Sequence, residues 1–380
     1  MIIKNALVFT LNQGFIPKDV VIENGYFTAG TREPFNGEQV IDAAGNYLIP
    51  GLVDVHFHGC AGHDFSDGTP EALDAIGAYE LKCGVTSICP ASMTLAEDTL
   101  ISVCENAYAY KTRSENRQTS RLCGIHLEGP FISMEKKGAQ NPAFIQTPSE
   151  ETFRRLQKAA HGLVRLITIA PETEGAEHFI RTLSPEVHIS VGHTASDYET
   201  ASRAFALGAD HVTHFFNAMP AFTHRAPSVF GAAFDAKHVM PELICDGIHV
   251  DPSAVRILFA LFGKERMILI SDSMSAAGMP DGNYSLGGLP VKVTGNLATL
   301  EDGTIAGSAT NLMDCLRTAV SMGIPLETAV RSATYNPAKS IGVENLCGSI
   351  TPGLPADCVI LSQENLSTQQ VIFNGEIVQR

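Results

Sequence analysis

Eight short apolar runs of β type punctuate the middle of the chain: "LVDVHF" from residue 52, "GVTSICPAS" from 84, "LCGIHLEG" from 122, "LVRLITIAP" from 163, "VHISVGHT" from 187, "HVTHFFNAM" from 211, "LICDGIHV" from 243 and "MILISDSM" from 267. The gaps hold stretches such as "PEALDAIGAYELKCG" and "SEETFRRLQKAAHG", whose apolar residues recur at spacings of three and four, with Gly near the C-terminal end. The two periods predict strand and helix in alternation. Eight such repeats over residues 51–345 predict an α/β fold of the (β/α)8 TIM type.

The two ends read differently. Residues 1–50 contain short strands and "VVIENGYF", where Asn24-Gly25 is a strong hairpin signal, and residues 346–380 contain "DCVILS" and "VIFNGEIVQR" with Asn374-Gly375 in the same role. Neither piece is large enough for a core of its own, so the pattern predicts one small, discontinuous β-sandwich domain built from both ends.

Composition adds limits rather than direction. At 380 residues, 44% hydrophobic and 18% charged, the chain has the make-up of an ordered globular protein. A formal charge of -15 argues against a nucleic-acid surface, which depends on arrays of Lys and Arg. Nine cysteines without a CxxC pair read as reduced thiols in a cytoplasmic protein. The start "MIIKNALVFTLNQGF" reads as a strand rather than a signal peptide, and no apolar run is long enough to predict a membrane span.

In barrels of this type catalytic groups sit where strands end, so the polar residues at those ends are the ones to collect. "LVDVHFHG" puts His56 and His58 two apart. A strand's period of two sends both rings to one face with Cα atoms about 7 Å apart, close enough to share a metal ion. The other runs add Glu128, His193, His214, His249 and Asp272. Taken singly each histidine has an ordinary reading, and His63, His126, His161, His178, His188, His211, His224 and His238 are read as surface or core. Joint placement on separate strand ends favours a metal site instead. Imidazoles with a carboxylate suit Zn2+ or Fe2+, and the lack of convergent cysteines argues against a structural thiolate site. For Asp272 a helix N-cap in "SDSMSAAG" is the competing reading.

Longer motifs carry a resemblance. "IPGLVDVHFHG" resembles the signature of the amidohydrolase superfamily, and "GIHLEGPFISMEKKGAQNP", "VGHT", "HFFNAMP", "DGIHV" and "ISDSMSAAGMPDG" resemble successive motifs of its N-acetylglucosamine-6-phosphate deacetylase family. The similarity continues through "GTIAGSA", "TYNPAKSIG" and "GSITPGLPADCVIL", covering nearly the whole chain. It implies that Glu128, His193 and His214 hold the main divalent ion. Some members lack the two histidines after strand one and bind a single ion. This chain keeps both, which implies a second ion held by His56 and His58 and bridged by Glu128. The fourth run offers no lysine that could be carboxylated to bridge two metals, unlike dihydroorotase-like and hydantoinase-like relatives.

The activity implied by the resemblance is hydrolysis of N-acetylglucosamine 6-phosphate to glucosamine 6-phosphate and acetate, in amino sugar catabolism. Asp272 would serve as general base and then general acid, and His249 would polarise the acetamide carbonyl. The backbone amides at Asn217 and Ala218 and the guanidinium of Arg225 would hold the phosphate, with Arg225 reaching in from the neighbouring subunit of a homodimer. Ala139, Ile305, Ala306 and Gly307 would line the sugar. Gln140 stands where many members have His after "KKGA", which bears on fine sugar specificity. Three other readings are the galactosamine epimer as substrate, a cyclic amidase, and a regulatory protein on a retired barrel. The missing strand-four lysine disfavours the second and the complete ligand set disfavours the third.

Overall fold

The computed structural model describes residues 1–113 and 118–379. Parallel strands in chain order form its centre: Leu52–Asp54, Val85–Ile88, Ile125–Glu128, Val164–Ile169, His188–Val191, His211–Val212, Met240–Ile244 and Ile268–Ile270. Each overlaps one of the apolar runs. The second and third strands are broken: Val85–Ile88 pairs with Leu52–Asp54 and Arg121–Leu122, whereas Ala91–Ser92 begins the ladder that runs through Ile268–Ile270. The step from the eighth strand back to the first is closed just past both. There the Asp272 N–H donates to the His56 carbonyl (3.0 Å) and the His58 N–H donates to the Ser273 carbonyl (2.7 Å). Closing the barrel therefore lays the two histidines against Asp272.

Strands covered by side chains inside and helices outside are buried on both faces, which is why the runs lack alternation. Polar groups inside the barrel bond to one another: His126 Nε2 lies 2.8 Å from Thr168 Oγ1, which lies 2.8 Å from Thr213 Oγ1. The helices follow their end signals. Pro70–Lys82 starts at Thr69, whose side chain accepts from the Ala72 N–H, and Glu150–Ala159 starts at Ser149, which accepts from the Thr152 N–H. Their apolar stripes (Leu73, Ile76 and Leu81; Phe153 and Leu156) are buried in the main core. No helix among the described residues is long and apolar enough to cross a membrane.

Both chain ends form a separate, mostly β domain. Strand Ile2–Thr10 pairs antiparallel with Gly14–Glu23 and parallel with Tyr47–Pro50, which in turn pairs antiparallel with Cys358–Leu361. Both two-residue hairpin loops are present, with φ of 53° and 82° at Asn24-Gly25 and 50° and 77° at Asn374-Gly375. The domain keeps its own small core, including Ile3, Val8, Ile22, Phe27, Leu48, Cys358 and Ile372. Tyr47–Pro50 runs into the first barrel strand through Gly51, where a Cβ would lie 2.1 Å from Thr86 Oγ1. Only glycine lets the strand pass that close, so the end domain sets the direction in which the HxH segment leaves.

The hydrophobic pattern did not anticipate a three-stranded antiparallel sheet, Gly282–Leu286, Leu289–Thr294 and Leu297–Thr299. Its turns, Gly287-Gly288 and Gly295-Asn296, are ordinary hairpin signals. Val291, Val293 and Ala298 pack with Met93, Met274 and Ala306 in a satellite core, beside the loop that follows the eighth strand.

Polar contacts tie the end domain to the barrel, Arg317 donating to the Leu366 carbonyl and to Thr368 Oγ1 among them, and one of these junctions is built on a buried carboxylate. Arg121 pairs with the buried Asp357 carboxylate, donates to Asn374 Oδ1 (2.6 Å) and lies over the Phe373 ring (5.2 Å); the Asn374 N–H donates to Asp357 Oδ1 (2.8 Å). Breaking a buried pair from one side leaves a charge without its partner. Asp357→Ala is therefore expected to destabilise the protein by about 3 kcal/mol, the lower end of the usual range because Arg121 keeps some contact with water. Arg203→Ala, at the exposed Glu177 pair, should leave the urea midpoint nearly unchanged. Equal midpoints for the two variants would contradict this assignment.

Candidate metal centre

Glu128, the last residue of the third strand, is the point on which the site converges. His193 Nε2 and His214 Nε2 lie 3.1 and 3.0 Å from its Oε1, and 3.0 Å from each other. His56 Nε2 lies 3.2 Å from Oε1 and His58 Nε2 lies 3.2 Å from Oε2. Asp272 Oδ1 is 3.3 Å from His58 Nε2 and 3.7 Å from His56 Nε2. All six side chains are buried. The two histidines of the HxH pair sit just past the first strand, which ends at Asp54, yet both rings still reach Glu128.

The far ring nitrogens fix how three of the four imidazoles face, while His214 Nδ1 has no hydrogen-bond partner among the described residues. Nδ1 of His58 donates to the Ala91 carbonyl (3.1 Å), Nδ1 of His193 to the Lys136 carbonyl (2.9 Å) and Nδ1 of His56 to Glu242 Oε2 (2.8 Å). Each partner is an acceptor, so a hydrogen sits on Nδ1 and Nε2 is the nitrogen that faces Glu128. Glu128 is held in its turn. Gln140 Nε2 donates to its Oε2 (2.6 Å), Gln140 Oε1 accepts from the Thr94 N–H (2.7 Å), and Thr94 Oγ1 donates to the Glu128 carbonyl (3.3 Å). A Cβ on Gly129 would lie 2.1 Å from Thr94 Oγ1, so the residue after Glu128 has to be glycine.

The backbone is bent into unusual conformations to aim these groups. His193, His214 and Asp272 have φ of 45°, 26° and 48°, in the left-handed region that side chains avoid. Surrounding bonds hold them there: the His193 carbonyl accepts from Ser133, the His214 carbonyl from Asn217, and the Asp272 carbonyl from Ser308. Asp272 does not cap a helix, since none follows it: residue 273 forms a β-bridge and residues 275–279 a turn and bend.

Electrostatics tell what the donor set wants. Burial favours the neutral form of Glu128, but the His56 and His193 charges and the His193 and His214 hydrogen bonds outweigh it and hold the carboxyl well below the usual range. Asp272 is lowered as well, its burial outweighed by contact with His58 and by the charges of His56, His58 and His214. Burial opposes charging His58, yet Asp272 and Glu128 push it up to about 10; Glu128 and Glu242 do the same to His56. Two ionised carboxylates in so dry a site demand positive charge, from protons on the rings or from a cation. Buried His56 Nε2 and Asp272 Oδ1 make no well-aligned hydrogen bond. The groups Glu128, His193, His214 and His56, His58, Glu128 each bring three ligand atoms within 4.8 Å of one another. Nitrogen and oxygen donors in this arrangement fit a divalent metal ion.

The other residues picked from the sequence are placed around this cluster. His249 Nδ1 donates to Asp246 Oδ2 (2.7 Å); burial works against its charge, but Asp246, with help from Asp272, holds its pKa up. Ala306 is buried and Ala139 partly buried in the satellite core, while Ile305 is exposed beside them. The Asn217 N–H already donates to the His214 carbonyl (2.9 Å), so the amide part of the expected anion site rests on Ala218. Arg225 lies on the exposed stretch 221–226 and has no hydrogen bond or ion pair among the described residues. Sequence reading passed over Glu242 and Asp246. The first was detectable as a charge inside an apolar barrel strand and the second as a carboxylate three before His249. Gln140 is buried with both ends of its amide engaged, so it contacts Glu128 rather than standing free to read a sugar.

Comparison with known proteins agrees with this geometry. The model of the amidohydrolase family matches residues 47–378. The chain is 36% identical over 378 residues to the N-acetylglucosamine-6-phosphate deacetylase of Bacillus subtilis (strain 168), covering 96% of this chain and 93% of that one. It is 33% identical to the N-acetylgalactosamine-6-phosphate deacetylase of Escherichia coli O157:H7, with 87% of each covered. Among solved structures, a mutant N-acetyl-D-glucosamine-6-phosphate deacetylase from Mycobacterium smegmatis in complex with N-acetyl-D-glucosamine-6-phosphate superposes with a TM-score of 0.92 at 32% identity, covering 100% of this chain and 99% of that one. A matching family model over most of the length, joined to a buried His and carboxylate cluster at the strand ends, means that the chain belongs to the amidohydrolase family and is a metal-dependent hydrolase.

Proposed function

We propose that the protein removes the acetyl group from N-acetylglucosamine 6-phosphate, giving glucosamine 6-phosphate and acetate. The observation that carries this is a carboxylate, Asp272, kept ionised beside four converging imidazoles in a chain similar to named deacetylases over nearly its full length. Glu128, His193 and His214 would hold one divalent ion and His56 and His58, sharing Glu128, a second; Zn2+ and Fe2+ suit these donors. A bound divalent ion lowers the pKa of water from 15.7 toward about 7 and polarises a carbonyl.

The chain's own groups supply the proton chemistry. Asp272, ionised before reaction, accepts the proton of the attacking water at its carboxylate and then delivers it to the departing amine, which leaves far more readily neutral than as an anion. His249, oriented through Asp246, donates a hydrogen bond to the acetamide oxygen as charge builds there. For the phosphate, the Ala218 amide and Arg225 supply donors, and the exposed position of Arg225 suits a role in the site of a second subunit. Nine free cysteines suit a reducing compartment, in keeping with a cytoplasmic enzyme. The galactosamine epimer is the second reading, favoured by the Escherichia coli relative.

Acetate release from phosphorylated and unphosphorylated N-acetylglucosamine and N-acetylgalactosamine tests the assignment. Fastest turnover is expected on N-acetylglucosamine 6-phosphate; no acetate from any of the four would overturn it. Asp272→Asn should keep its metal and lose roughly 10² to 10⁴ in kcat. His193→Ala should lose metal and turnover together, as metal analysis of the same sample would reveal. Arg225→Ala should cut kcat/KM for the phosphorylated sugar by about tenfold or more while sparing the unphosphorylated one. Mixed with Asp272→Asn subunits it should regain some activity, since one hybrid site then has both groups. No rescue in mixtures shown to have exchanged would place Arg225 outside the neighbour's site.

A further inference from the structure

We propose that Glu242 is a positioning residue that creates the second metal position by orienting His56 and placing a negative charge behind it. The inference rests on the two-ion reading above. Glu242 lies in the seventh barrel strand, Met240–Ile244, and is completely buried. Its Oε2 accepts from His56 Nδ1 at 2.8 Å and lies 3.4 Å from the His214 backbone nitrogen, while Oε1 has no hydrogen-bond partner among the described residues. A buried carboxylate is strongly disfavoured unless something nearby compensates it. Among the described residues, its one ion-pair partner is His56.

This arrangement sets His56 apart from its neighbours. His58 and His193 rest their Nδ1 atoms on backbone carbonyls, whereas His56 rests on a side-chain carboxyl group. A separation of 2.8 Å is that of a charge-assisted hydrogen bond, which puts Glu242 behind the ring and leaves Nε2 to face Glu128. The ring is fixed from a second side by His126, whose centroid is 4.5 Å away at 76° and whose Nε2 is tied to Thr168. Carboxylates behind ligand histidines fix the tautomer and strengthen the ligand nitrogen. Three carboxylates crowd this one ring: oxygens of Glu128, Glu242 and Asp272 lie 3.2, 2.8 and 3.7 Å from its nitrogens.

The test is metal stoichiometry and affinity, by elemental analysis and by titration of Co2+ into metal-free protein, following both its absorption and the equivalents bound. Wild type, Glu242→Gln and Glu242→Leu are compared, each checked for native circular dichroism. Wild type is expected to bind two ions. Both variants should keep the tighter ion and weaken the second by about 10- to 100-fold, the loss being smaller for Gln, which retains an acceptor for Nδ1 but no charge. Should Glu242→Leu fail to fold, the isosteric Gln variant still decides. Two ions in wild type with unchanged second-ion affinity in folded Glu242→Gln would overturn the role of Glu242 alone. A single ion in wild type would overturn the two-ion reading and, with it, this one.

Discussion

A carboxylate buried at the end of a barrel strand stays ionised only beside positive charge, and in this protein Glu128 faces four imidazoles drawn from three other segments of the chain, each able to hold a proton or a metal ion. The rest of the structure can be understood as what keeps that meeting in place. Barrel closure brings the HxH segment beside Asp272 through two backbone hydrogen bonds. Gln140 and Thr94 hold the Glu128 side chain and carbonyl. Three left-handed residues, each costing of order 1 to 3 kcal/mol in isolation, turn His193, His214 and Asp272 inward. Such strain is sustained because each of the three carbonyls is pinned by a backbone hydrogen bond, from Ser133, Asn217 and Ser308.

Much of this was legible in the sequence because it depends on local period. Eight apolar runs separated by helical spacing are sufficient for a barrel, and in a barrel the ends of strands are where chemistry gathers. That is how the sequence points to His56, His58, Glu128, His193, His214 and Asp272. The two Asn-Gly hairpins were readable for the same reason, since few residues adopt the backbone of those loops.

What escaped depends on contacts between distant parts of the chain. Glu242 lies 186 residues from His56, and only the closed barrel brings them to 2.8 Å. Gln140 was singled out by its motif position alone, and only the fold shows that its amide turns inward to Glu128. The Asn217 amide is spent on the turn that shapes His214, a bond that sequence spacing does not reveal. The three-stranded sheet after the eighth strand carried readable turn signals, yet its apolar residues resemble any short amphipathic stretch until Met93 and Met274 are seen to pack against them.

The central claim is that the charge compensating Glu128 in the working protein is a divalent metal ion held by His193 and His214. Anomalous diffraction from crystals of the protein purified without chelator addresses it directly. The expected result is a metal peak about 2.0 to 2.2 Å from Glu128 Oε1, His193 Nε2 and His214 Nε2 at once. No peak at that point, with the carboxylate still in direct hydrogen bonds to protonated imidazoles, would contradict it.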